Sequence, residues 1–206
     1  MGVQTKRWTR AEYDRLVRHG VLGEDDPVQL IHGEIVEMAP QGAAHATAVG
    51  LVADILQSAF RIGYHVRVGL PLALSDDSEP EPDVAVVLGG RRDYADHHPA
   101  GAVLVVEVSG TTGEFDRSRK ASMYAEAGVP EYWVLDIQGR FVDVYRDPAA
   151  GHEGGAGYTS HHRVAEDGVV TPMTLASART LVRDLLPCKS RQTGSASVSP
   201  LRGYQS

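Results

Sequence analysis

The sequence predicts a mixed α/β fold, with a central sheet flanked by helices. Two dense β-branched runs sit mid-chain, "DVAVVL" (Asp83 to Leu88) and "AVLVVEVS" (Ala102 to Ser109). Runs of that length and density read as central strands covered on both faces. On either side lies a helical pattern. From Ala43 to Ile62, Val49, Val52, Ile55, Leu56 and Ala59 recur at three- and four-residue spacing. From Asp116 to Ala127 a second helix is expected, closed by Gly128.

The remaining elements follow in order. "TRAE" (Thr9 to Glu12) has the spacing of a capping box and predicts a short helix to about His19. "VQLIHGEIVEM" reads as two strands turning at His32-Gly33. "YHVRVGLPLAL" (Tyr64 to Leu74) reads as one extended strand, broken by "SDDSEPEP". "GGRRDYADHHPAG" is an exposed loop. "EYWVLD" (Glu131 to Asp136) and "RFVDVYRD" (Arg140 to Asp147) form a hairpin across "IQGR". A Gly-rich loop follows, Gly151 to Gly157, with weaker strand signals near Tyr158–His162 and Val169–Val170. One domain over residues 1–187 is expected. The Ser- and Gly-rich residues 188–206 are expected to be a disordered tail.

Composition narrows the function. The chain has 206 residues, 42% hydrophobic and 23% charged, as ordinary globular proteins have. Its one cysteine, Cys188, excludes an intrachain disulfide and a Cys-based zinc site. The sequence shows neither a signal peptide nor a run of about 18 apolar residues, so no membrane partner and a cytoplasmic location are expected. A net charge of −7 does not advertise a nucleic-acid binder, although carboxylates that hold metal ions also make a chain acidic. The sequence lacks the HExxH, P-loop and strand-borne GxGxxG patterns. It also lacks a GxSxG elbow.

The informative residues are acids on apolar strands. Asp83 opens the first central run and is either a turn residue or a placed ligand. Glu107 shares a strand face with Val103, Val105 and Ser109, because side chains alternate with period two. A carboxylate there is costly unless its desolvation is offset, and a divalent cation gripped with Asp83 would do so. Of the 20 basic residues only Lys6, Lys120 and Lys189 are lysines. Lys120 lies four residues after Asp116, so it is either half of a surface ion pair or a compact charge placed for phosphate chemistry. Glu34 is either a further metal-facing acid or an exposed hairpin acid. His45, at the start of the long helix, caps it, contacts a phosphate or is structural. Arg91-Arg92 and the Arg117–Arg119–Lys120 run are the local basic clusters.

The series Glu34, Pro82-Asp83, Glu107 to Ser109 and Lys120 resembles the PD-(D/E)XK nuclease superfamily. Five segments in order, "LIHGEIVEMAPQGAAHA", "SEPEPDVAVV", "LVVEVS", "DRSRKASMYAEAGVPEYWVLD" and "VDVYRDP", closely resemble the Uma-two family. The resemblance spans about Trp8 to Pro187. It implies a restriction-endonuclease-like core carrying an endonuclease site for DNA phosphodiesters, dependent on Mg²⁺ or Mn²⁺. Asp83, Glu107 and the carbonyl of Val108 then match the metal ligands, and Glu34 the early acid. The superfamily's usual lysine position is Ser109 here, and Lys120 matches the lysine displaced onto the next helix. A homodimer would suit double-strand cutting. The alternative is a catalytically inactive module of the same fold that binds nucleic acid or protein.

Overall fold

A computed structural model of the chain describes residues 4–23, 26–110, 113–149 and 156–189. The Gly-rich segment 150–155 and tail residues 190–206 lie outside the described residues. Helix α1 (Arg10–Arg18) starts at the expected capping box: Thr9 accepts from the Glu12 amide while the Glu12 carboxylate takes the Thr9 amide. Strands β1 (Val28–Ile31) and β2 (Glu34–Glu37) pair antiparallel around His32 and Gly33. Both turn residues adopt positive φ, 49° and 73°, the backbone twist that two-residue hairpins favour. Helix α2 (Ala43–Ala59) follows, then β3 (Tyr64–Val68), β4 (Val84–Leu88) and β5 (Leu104–Ser109). Helix α3, over residues 113–126, leads to β6 (Glu131–Asp136), β7 (Phe141–Ala149) and β8 (Gly157–Ala165). The short strands β9 (Val169–Val170) and β10 (Thr180–Leu181) close the described chain.

The six strands β3 to β8 form one sheet in chain order. All neighbours are antiparallel except β5 and β6, which are parallel and joined by α3. Alternation sorts the core onto two faces. Val84, Val86, Val106 and Trp133 pack with Val52 and Leu56 of α2. Ala85, Val87, Val105 and Tyr132 pack with Met123 and Tyr124 of α3. Each fully buried Val or Leu contributes about 1.5–3 kcal/mol relative to exposure. This two-sided burial explains why both central strands are continuous apolar runs.

Several boundaries differ from the sequence expectation. Helix α2 ends at Ala59 rather than Ile62, because Phe60 turns extended and buries its ring against the core. The expected strand to Leu74 stops at Val68. Gly69 adopts φ 54° and donates to the Asp83 carbonyl, after which Leu72 and Ala73 bond to the carbonyls of Pro80 and Pro99. Helix α3 starts at Gly113, not Asp116. A Cβ at Gly113 would meet Ser109 Oγ at 2.9 Å and Arg117 Nη1 at 2.3 Å, so only glycine lets the helix start this close to β5. The stretch at 158–162 belongs to a full nine-residue strand.

The segment that delivers Asp83 is tied to the hairpin. Ser75 and Ser78 make the turn, and Glu79 pairs its backbone with Leu30. The Glu79 carboxylate is buried with the Arg10 guanidinium 3.7 Å away, and burial pushes its carboxyl up to about 7. A carboxyl raised on folding costs stability as pH climbs from 4.5 through 7, and nothing below. Glu79→Gln is therefore expected to stabilise the protein at pH 8 by about 2–3 kcal/mol. Denaturant midpoints at pH 8 and pH 4 check this, with no difference expected at the lower pH.

Candidate active site

Strands β4 and β5 are in register with Val84 opposite Val106. One step outward, Asp83 and Glu107 stand at the mouth of β4 and on the closing half of β5. Asp83 is not a turn residue. Its Oδ2 accepts from the Val108 amide at 2.7 Å and its Oδ1 meets His45 Nε2 at 2.9 Å. The carboxylate thus joins β5 to the first turn of α2. In an extended strand the N–H and C=O of one residue point the same way. The Val108 carbonyl therefore faces the Asp83 side, just beyond the start of β4.

Glu107 is 3% exposed, and Lys120 on α3 is 6% exposed. Lys120 Nζ lies 2.9 Å from Glu107 Oε1, which also accepts from the Tyr124 hydroxyl at 2.8 Å. Asp116 Oδ1 is 3.7 Å from the same ammonium. Residues 116, 120 and 124 thus share one helix face. Ser109 is buried under the start of α3, and its hydroxyl has no hydrogen-bond partner among the described residues.

The reach of Lys120 depends on local backbone. Asp116–Lys120 is a π-helical turn within α3, with the Ala121 amide bonding back to the Asp116 carbonyl. The Tyr132 hydroxyl donates to that same carbonyl at 3.0 Å. A group inserted into the ladder is a recognised cause of such a distortion, and π turns recur at functional sites. Arg117 ties the turn down. It bonds Asp143 Oδ2 at 2.7 Å and Asp136 Oδ2 at 2.8 Å. Asp143 is fully buried and also takes Arg163, with His161 at 3.3 Å. Asp143→Ala is expected to destabilise by about 2–3 kcal/mol, less than the ~3–5 of a wholly unpaired buried charge. Arg117 keeps Asp136, and Arg163 reaches water. A lowered denaturant midpoint with unchanged slope is the check.

Asp83, Glu107, Val108, His45, Asp116 and Lys120 line one cavity of about 610 Å³. Glu37 and Glu81 line it too, so carboxylates outnumber cations. Burial pushes Glu107 up to about 7; Lys120 pulls it down, while Asp83 and Asp116 push it up. Burial works against the Lys120 charge, but Glu107 and Asp116 outweigh it and hold the ammonium above its ordinary range. The hydrogen bond to Asp83 raises His45 against its own burial. These shifts describe a pocket short of positive charge.

Glu34 is not brought to this cavity. It pairs with Arg7 and Arg119 on the hairpin, and Arg119 first and Arg7 with it hold its carboxyl below the ordinary range. Of its two sequence readings, metal-facing acid or hairpin acid, its place here is on the hairpin. Sequence reasoning gave no site role to Tyr124, Glu81, Glu37 or Phe115, and saw Asp116 only as an ion-pair partner. The spacing of Asp116, Lys120 and Tyr124 was the available signal for two of them.

Among the described residues, no group of three or more His, Cys, Asp and Glu side chains is arranged to hold a metal ion. The donor set is thinner: two carboxylates at adjoining strand ends and a backbone carbonyl. Oxygen donors of that kind fit a hard cation that keeps several waters, as Mg²⁺ does. No described helix is long and apolar enough to cross a membrane.

Comparison with known proteins adds three findings. The family model Uma2, described as "Putative restriction endonuclease", matches residues 10–179. No curated protein matches. A solved structure described as "a putative nuclease belonging to DUF820" from Anabaena variabilis ATCC 29413 aligns at 16% identity and TM-score 0.66. The alignment covers 86% of this chain and 96% of that one, and it shows a shared fold.

Proposed function

Because the chain belongs to the Uma2 family of "putative restriction endonucleases", we propose that it is a divalent-metal-dependent endonuclease hydrolysing DNA phosphodiesters in the Asp83–Glu107–Lys120 cavity. One observation carries the reading. Acids 24 positions apart in the chain and a helix-borne lysine converge on one cavity in which negative charge predominates. Gathering carboxylates around the buried Glu107 and Asp116 is unfavourable by itself, and a cation offsets it.

Asp83, Glu107 and the Val108 carbonyl would hold Mg²⁺ or Mn²⁺. Bound there, the ion would lower the pKa of a water and polarise the phosphoryl oxygens. The chain's own groups do the rest. His45 orients Asp83 and adds positive charge at the cavity wall. Tyr124 fixes Glu107 through Oε1. Lys120 sets an ammonium beside the reacting phosphate, where charge grows as water adds to phosphorus. The water oxygen forms a new P–O bond as one P–O ester bond breaks, leaving a phosphomonoester, and the departing oxygen takes up a proton to become an alcohol.

The test is conversion of supercoiled plasmid to nicked or linear form with Mg²⁺ or Mn²⁺. Cleavage that chelation by EDTA abolishes is expected. Folded protein that leaves the plasmid intact with both metals would contradict the reading.

A further inference from the structure

We propose that the cavity takes an unpaired nucleotide, so that single-stranded or locally melted DNA is the preferred substrate over intact duplex; this rests on the nuclease reading above. Depth is the first argument. Glu107 and Asp116 are each 3% exposed and Lys120 6%. They line a cavity of about 610 Å³, within the ~300–1,000 Å³ range of small-ligand sites. A duplex presents its phosphates on the convex surface of a stiff rod and needs a shallow, open groove. The 38–42 loop and Phe115 line the same cavity. Enclosing a base as well as its phosphate requires a single strand or a nucleotide extruded from the stack.

The walls suit a base. Met38, Pro40 and Phe115 offer apolar surface, and Gln29, Gln41 and Gln138 offer amides. The Arg119 guanidinium lies 5.9 Å from the Phe115 ring centroid, and Glu34 holds that arginine. The hairpin acid therefore braces a cavity wall. An aromatic face stacks any base, worth about 1–3 kcal/mol. Charge is the third argument. Duplex binding draws on many Lys and Arg contacts to phosphates. Among the described residues that line the cavity, Lys120 is the one Lys or Arg, alongside Glu37, Glu81, Asp83, Glu107 and Asp116. That serves a single phosphate, not a tract of them.

The experiment compares one labelled oligonucleotide presented as a single strand, as a perfect duplex and as a duplex with a central bulge. Cleavage is followed in Mn²⁺ and binding by anisotropy in Ca²⁺. The single strand and the bulge are expected to be cut at least tenfold faster than the duplex, and bound more tightly. Phe115→Ala is expected to lower single-strand affinity about tenfold, and Gln138→Ala at the exposed rim severalfold, without loss of Mn²⁺ binding. Equal or faster duplex cleavage overturns the substrate assignment and leaves the nuclease reading standing. Tighter single-strand binding without any cleavage retains the nucleotide site and removes the hydrolase. Equal binding of strand and duplex, or binding of neither, overturns the proposal.

Discussion

Asp83→Asn is expected to lower plasmid cleavage by about 10³-fold or more while leaving the thermal melt nearly in place. The magnitude follows from the role: losing a ligand that supports several kcal/mol of charge stabilisation costs a factor of ten for each ~1.4 kcal/mol. The small structural effect follows from geometry. Asparagine has the same shape, and its amide oxygen can still accept from the Val108 amide that now bonds Oδ2. What disappears is the negative charge. Glu107→Gln should behave alike, since its Oε1 partners Tyr124 and Lys120 can both donate to an amide oxygen. Single-turnover cleavage and melting of each variant, measured side by side, decide the matter. Variants that fold and still cut at the parent rate would remove both acids from the mechanism.

Lys120→Met is expected to lower cleavage by about 10²–10³-fold, the usual effect of losing one preorganised partner of a developing charge. Methionine keeps the apolar stem and deletes the ammonium. Mn²⁺ affinity should hold or rise, because Glu107 Oε1 loses its competing cation at 2.9 Å. That split separates Lys120 from the acids, whose loss removes metal binding and cleavage together. Lys120→Arg should not rescue, since a planar fork does not fit the space of a point charge packed against Glu107 and Asp116. A metal affinity that falls as far as cleavage would make Lys120 a structural partner of Glu107 instead.

Much of this was readable from residue type and spacing. The apolar density of 84–88 and 104–109 placed the two central strands, and period-two alternation put Glu107 among valines on a face that α3 covers. Lys120 stood out because arginine is used almost everywhere else, while its match to a lysine displaced onto the helix came from the family resemblance alone. The misreadings share a cause, which is long-range partnership. Glu34 looks like any hairpin acid until Arg7 and Arg119, 27 and 85 residues away, close on it. The strand expected to reach Leu74 has the right composition, but Gly69 and the carbonyls of Pro80 and Pro99 redirect it. The π turn has no local signature. The hydroxyl that bonds its Asp116 carbonyl comes from 16 residues downstream, on the parallel strand β6. The cavity walls come in part from the 38–42 loop and Phe115, to which sequence reasoning gave no wall role.

The most direct measurement is an anomalous difference map from crystals soaked in Mn²⁺. The account predicts a peak against the carboxylates of Asp83 and Glu107, on the side faced by the Val108 carbonyl, and its loss in Asp83→Asn crystals. A map without density there, with the Lys120 ammonium alone on Glu107 under saturating Mn²⁺, would contradict it.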